Sequence, residues 1–81
     1  MVAKTAEDIA VAEAAYATAQ AVHQGALDSY YAAGTPGFAR WASRVEETWD
    51  DLSVARFALL AAYGMPGSSV SAARAAYAAK R

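Results

Sequence analysis

Two stripes with a seven-residue period run through the first half of the chain, and they constrain its fold more than any other feature. The first stripe consists of Ile9, Tyr16, His23 and Tyr30. The second stripe follows three positions behind and consists of Ala12, Ala19, Ala26 and Ala33. Residues at this spacing lie on one face of an α-helix and form the a and d positions of a coiled coil. The first half is therefore predicted to be one long helix with a single seam.

The second half repeats this pattern with the large and small residues exchanged. Its stripes are Phe38, Val45, Leu52, Leu59 and Trp41, Thr48, Ala55, Ala62. If the chain folds back between Gly34 and Gly37, residues whose numbers add up to about 71 face each other across the seam. The predicted layers are Ile9–Ala62, Ala12–Leu59, Tyr16–Ala55, Ala19–Leu52, His23–Thr48, Ala26–Val45, Tyr30–Trp41 and Ala33–Phe38. Most layers join a large side chain to Ala, which lets the two helices interdigitate closely. Glu13 and Arg56 flank one of these layers, so we expect a salt bridge between them.

The element boundaries follow from capping signals. Thr5 is a good N-cap, and Gly34 suits a left-handed C-cap. Thr35 can cap the second helix, with Pro36 in its first position, and Gly64 can end it. The sequence therefore predicts one all-α domain, an antiparallel two-helix coiled-coil hairpin with a short third C-terminal helix. The expected ranges are helix one at about 6–33, a turn at 34–35, helix two at about 36–63, a linker at 64–68 and a short helix at about 69–79.

Composition excludes several functional classes. The net charge of the 81 residues is −1 and the basic residues are scattered, which is unlike a nucleic-acid-binding surface. Cysteine is absent, so the chain forms no disulfide. Its first residues show no secretion signal, and we expect a cytoplasmic or particle-associated protein. The uncharged run at 14–27 is too short and too polar to suggest a membrane span.

Two groups of residues could carry chemistry, and each has a simpler interpretation. His23 is the only histidine, and its place opposite Thr48 suggests a polar layer that fixes the register of the seam. The densest acidic cluster consists of Glu46, Glu47, Asp50 and Asp51. Paired carboxylates can act as acid and base or hold a divalent ion, but this cluster lies on the predicted outer face. We therefore expect no enzyme, no cofactor and no metal, and a role beyond structure and solubility stays open for both groups.

Aromatic residues gather near the turn. Tyr30, Phe38 and Trp41 occupy seam positions and are expected to form a plug that closes the hairpin. Tyr31 and Trp49 lie off the seam, so they are better candidates for contact with a partner.

The opposite end of the hairpin has more apolar surface than the seam requires. Helix two carries a single charge, that of Arg56, between residues 52 and 63. Helices that are apolar nearly all round are normally buried, and a short Ala-rich third helix can cover only part of this end. The predicted partner-binding residues are Val11, Val22, Tyr31, Trp49, Val54, Phe57 and Leu60.

This surplus of apolar surface, without any catalytic motif, favours a structural or assembly component that packs into a homo-oligomer or a larger complex. Its partner is expected to be protein, without nucleic acid or membrane. Ala and Arg outnumber Lys and Ile, which suggests a GC-rich bacterial or bacteriophage genome, so the complex is expected to be a bacteriophage virion or another bacterial particle. The alternative is a small regulator or inhibitor that docks a helix face on one partner protein.

Overall fold

The computed structural model describes residues 3–80, apart from the side chains of Thr35 and Pro36. A helical run extends over Ala6–Tyr63 and is divided at Gly34, the one residue in it with non-helical φ and ψ. We call the two parts α1 (residues 6–33) and α2 (residues 35–63), and the C-terminal helix Val70–Ala79 is α3. The two long helices pack against each other and α3 follows, which confirms the predicted fold class. The cap expected from the Thr35 side chain lies outside the described part.

Gly34 alone reverses the chain. Its φ of 65° confirms the expected positive value, but its ψ of −168° is extended and differs from that of a left-handed C-cap. Only glycine readily adopts this combination, because a Cβ would clash with the neighbouring peptide groups. The break between the helices is therefore tighter than the two-residue turn predicted at 34–35.

The far end of the hairpin is closed by backbone hydrogen bonds. The Thr5 side chain accepts a hydrogen bond from the Asp8 amide at 3.2 Å, which confirms the predicted N-cap. The Lys4 amide donates to the Ala62 carbonyl at 2.8 Å, so the segment before α1 satisfies one of the last carbonyls of α2. Gly64 ends α2 in the left-handed conformation, with φ 74° and ψ 23°, as expected.

The seam has the predicted register at its centre. The His23 Nδ1 and Thr48 Oγ1 atoms are 2.9 Å apart, as the pairing of these residues required. Every seam position except Phe38 is buried or half-buried. Phe38 is 53% exposed, so its expected burial is wrong. The turn places Gly37 against Ala33 instead, where a Cβ on Gly37 would lie only 2.8 Å from the Ala33 Cβ.

The hydrophobic core lies at the end away from the turn. Its buried members are Ile9, Leu59, Leu60, Ala62, Tyr63 and Ala73. Leu60 is 3% exposed, so its expected position on the surface is wrong. Because Ala73 carries only a methyl group and is itself fully buried, α3 lies close against this end and covers Leu60.

Candidate interaction surface

An ion pair fastens α3 to one side of the hairpin. The Arg74 guanidinium donates two hydrogen bonds to the Glu13 carboxylate, from Nε at 2.9 Å and from Nη2 at 2.7 Å. The Tyr63 hydroxyl donates to the same carboxylate. The guanidinium also lies 5.9 Å from the centre of the Tyr16 ring. Glu13 therefore joins α1, α2 and α3, and the two-pronged Arg74 contact fixes the orientation of α3.

The pKa directions match this arrangement. The hydrogen bonds from Arg74 lower the pKa of the Glu13 carboxyl, and the bond from Tyr63 lowers it further, against the opposing effect of burial. Burial raises the pKa of the Tyr63 hydroxyl, and its hydrogen bond to Glu13 adds to the rise. Both shifts favour the ionised carboxylate and the neutral phenol, which are the forms that hold α3 in place.

The predicted salt bridge between Glu13 and Arg56 is wrong, because Glu13 pairs with Arg74 instead. Its carboxylate is already engaged by Arg74 and Tyr63. The Arg56 guanidinium instead lies 5.5 Å from the centre of the Phe57 ring. Arg74 reaches both carboxylate oxygens from α3, and this two-pronged contact occupies Glu13.

The two edges of the seam differ in what covers them. In an antiparallel coiled coil, the e positions of both helices flank one edge and the g positions flank the other. The e edge includes Glu13 and Tyr63, and α3 packs there. The g edge includes Ala15 and Ala58, and both of these alanines are exposed. Because α3 has only 10 residues and is fastened to the e edge, it leaves the g edge bare.

The bare g edge forms a shallow groove, which we call the open groove. Two adjoining cavities of about 410 and 590 Å³ share Ala15. Their walls consist of Lys4, Asp8, Val11, Ala12, Ala15, Thr18, Ala19, Val22, Thr48, Asp51, Ala55, Ala58 and Ala62. Most of these side chains are small and apolar, and the charged ones stand near the two ends. Such a groove is shaped to receive another helix, since small residues let helix axes approach closely.

The sequence-predicted contact residues divide between this groove and other surfaces. Val11 and Val22 line the open groove and are 66% and 42% exposed. Val54 and Phe57 are exposed as well but do not line it. They are three residues apart in α2 and therefore share a face.

Tyr31 and Trp49 are both exposed, but they belong to different places. Tyr31 packs edge-on against Tyr30 near the turn, with ring centres 5.2 Å apart. The Trp49 ring lies 5.5 Å from the His23 ring, in the middle of the hairpin. The structure thus separates two residues that the sequence grouped together.

The His23–Thr48 layer has a defined hydrogen-bond direction. The Thr48 hydroxyl donates to the Val45 carbonyl at 3.1 Å, so its oxygen must accept from His23. The Nδ1 atom of His23 therefore carries a proton and donates it. The contact lies inside the seam between α1 and α2, as expected of a polar layer that fixes the register.

The acidic cluster is a solvated face with one exception. Arg44 and Glu47 form an exposed pair at 3.6 Å. Asp51 differs from the rest because it lines the open groove. Within residues 3–80, no three side chains of the metal-binding types come together in a way that could hold an ion.

Arg74 and Tyr63 are the important contact residues that sequence reasoning missed. A signal existed, because Glu13 is the only charged residue between Asp8 and Asp28, and Arg74 is the only one inside α3. A lone acid in one apolar helix and a lone base in another are natural partners, since opposite charges attract and no other charge competes nearby in sequence.

No protein-family model, curated protein or solved structure matches this chain. Among the described residues, no helix combines the length and the apolar character that crossing a bilayer requires.

Proposed function

We propose that this chain is a non-enzymatic assembly component that packs through the open groove into a homo-oligomer or a larger complex. The observation that carries the proposal is the contrast between the edges of the seam. At the α3 end, one edge is covered by α3 and an ion pair, whereas the other presents Val11, Val22 and a row of alanines to solvent.

The energetics of a small helical hairpin support this proposal. Apart from Ala26 and Thr48 in the seam, the buried side chains of the described residues lie at the α3 end. A chain of this size buries a modest share of its surface, so its stability alone is limited. Contact along the groove would remove more apolar surface from water, and each Å² buried contributes a favourable free energy of about 25 cal/mol. Assembly would therefore stabilise the fold through mass action.

The setting we propose is a repeating particle of a bacterium or a bacteriophage, in line with the composition. A second candidate is a helical regulator that binds one partner protein. The exposed aromatic residues Tyr31 and Phe38, which line a cavity of about 330 Å³ near the turn, support this alternative. They lie far from the open groove, so the two proposals can be separated by substitution.

The test compares two neighbouring alanines of α1. Ala15 lines the open groove and Ala14 does not, and both are exposed. Ala15→Glu and Ala14→Glu add the same charge at nearly the same place, so their effects on the isolated helix should match. A carboxylate in an apolar contact is costly, and we expect Ala15→Glu to weaken self-association roughly 100-fold, which is about 2.7 kcal/mol.

Sedimentation equilibrium over a range of protein concentrations provides the readout. The proposal expects a species larger than a monomer for the native chain and for Ala14→Glu, but a monomer for Ala15→Glu. Equal association of all three proteins would contradict a role for the groove. A native chain that stays monomeric at millimolar concentration would contradict self-assembly and favour the regulator.

A further inference from the structure

Charged side chains stand near both ends of the open groove, Lys4 and Asp8 at one end and Asp51 toward the other. Lys4 lies at the end beside Ala62, where its amide is bonded to that carbonyl. Asp51 lies toward the other end, where it lines the same cavity as Val22. Between them the walls are mainly alanine. Lys4 is the one cation among the lining residues, so a partner that fits this surface would set a carboxylate beside it.

We propose that the occupant of the open groove is a second copy of this chain, lying antiparallel to the first. The inference rests on the proposed function and specifies its geometry. A two-fold axis across both helices, at the level of Ala58, would place α1 on α1 and α2 on α2. It would bring Lys4 of each copy to the level of Asp51 of the other, and the two hairpins would form a four-helix bundle.

The seam register allows this match to be checked at a second pair of polar residues. In the seam register, Ala58 of α2 lies at the level of position 13 of α1. Asp8 and Thr18 both line the groove on α1, five residues before and five residues after that position. The same two-fold axis therefore sets Asp8 of one copy beside Thr18 of the other, where the hydroxyl can donate to the carboxylate. A parallel pair would instead bring Lys4 to the level of Lys4 and Asp51 to the level of Asp51, and like charges repel.

The size of the groove indicates the strength of the contact. Residues 4–22 span about 27 Å of helix, and two adjacent helices are about 20 Å wide. The footprint is thus roughly 500 Å² per copy, at the lower limit for a specific interface. We therefore expect a dimer with a dissociation constant on the order of 100 μM, and the experiments require protein concentrations above this value.

Single cysteines can map the arrangement because the native chain has none. In the antiparallel dimer, Ala58→Cys places two sulfurs near the axis, within the 4.4–6.8 Å Cα separation that a disulfide needs. Asp51→Cys is the matched control on α2, because its two copies would be about 20 Å apart. In a redox buffer, we expect covalent dimers from Ala58→Cys at least tenfold more abundant than from Asp51→Cys.

A parallel dimer gives a different pattern. It would set α1 on α2 of the second copy, so a mixture of Ala15→Cys and Ala58→Cys would yield mainly the mixed disulfide. Mass spectrometry distinguishes that product from the Ala58→Cys homodimer. A dominant mixed disulfide, or equal cross-linking at positions 51 and 58, would overturn the antiparallel arrangement.

Charge reversal provides a second and independent measurement. Lys4→Glu alone should weaken the dimer several-fold, and the double variant Lys4→Glu with Asp51→Lys should restore it, since the opposite charges again meet. In a parallel dimer each position would face its own copy, so neither the single nor the double variant would change the affinity much. If the native chain associates, Ala15→Glu blocks association and these patterns still fail, the antiparallel geometry is wrong while the proposed function stands. A native chain that is monomeric throughout overturns both the antiparallel dimer and the self-assembly part of the proposed function.

Discussion

Replacing Gly34 with alanine tests the turn that creates the hairpin. Its φ of 65° and ψ of −168° lie where an L-residue is strained, by about 1–3 kcal/mol. Apart from its two chain neighbours, nothing lies within 4 Å of a Cβ built on Gly34, so the cost arises from the local backbone alone. Alanine also restricts the unfolded chain, which returns about 0.4–1 kcal/mol. We therefore expect Gly34→Ala to lower the free energy of unfolding by about 1–2 kcal/mol.

The matched control is Gly25, which lies inside α1. A Cβ on Gly25 also meets nothing within 4 Å, and its φ is not positive. Gly25→Ala should therefore raise the free energy of unfolding by about 0.5–1 kcal/mol, because alanine favours the helix. Urea unfolding followed by circular dichroism at about 10 μM protein, well below the expected dimer range, measures both variants. Changes of the same sign in both variants would refute the assignment of the turn to Gly34.

The remaining predictions concern the two polar contacts. Glu13→Gln should lower the free energy of unfolding at pH 7 by about 1 kcal/mol, because Arg74 loses its ionised partner in a partly exposed site. The lowered pKa of Glu13 means that its contribution is complete above the unfolded-state value of about 4.3 and is lost as the pH falls through the folded-state value. Urea unfolding of both proteins should therefore give a difference at pH 7 that disappears at sufficiently acidic pH, and a constant difference would contradict this. Thr48→Val should cost about 1–3 kcal/mol, because the part-buried Nδ1–H of His23 loses its acceptor, and a urea midpoint unchanged from the native chain would show that the layer does not fix the register.

The features that could be predicted from the sequence are those encoded at short range or by periodicity. The cap at Thr5 depends on residues three positions apart, and the structure shows its side chain accepting the expected amide. The seam register was predictable because two complementary stripes agree across one turn, and His23 with Thr48 confirms it. The predicted burial of Phe38 is wrong because the chain reverses at Gly34 alone. This reversal shifts the first residues of α2 relative to the seam.

The edge on which α3 packs could not be predicted in the same way. It depends on a contact between Glu13 and Arg74, which are 61 residues apart, and on the path of the connecting segment. Leu60 lies close to the e edge, so its burial follows from that choice. The sequence indicated which valines are surplus to the seam, but only the position of α3 shows that Val11 and Val22 share one open groove.

The central claim, that the open groove is the contact surface, is tested most directly by amide chemical shifts recorded over a concentration series. Each backbone amide reports its own surroundings, so the shifts locate the contact without any substitution. We predict concentration-dependent changes along the groove, at Val11, Ala15, Val22 and Ala58, and unchanged signals near the turn at Tyr31. Changes confined to the turn, or no change up to millimolar concentration, would contradict the account.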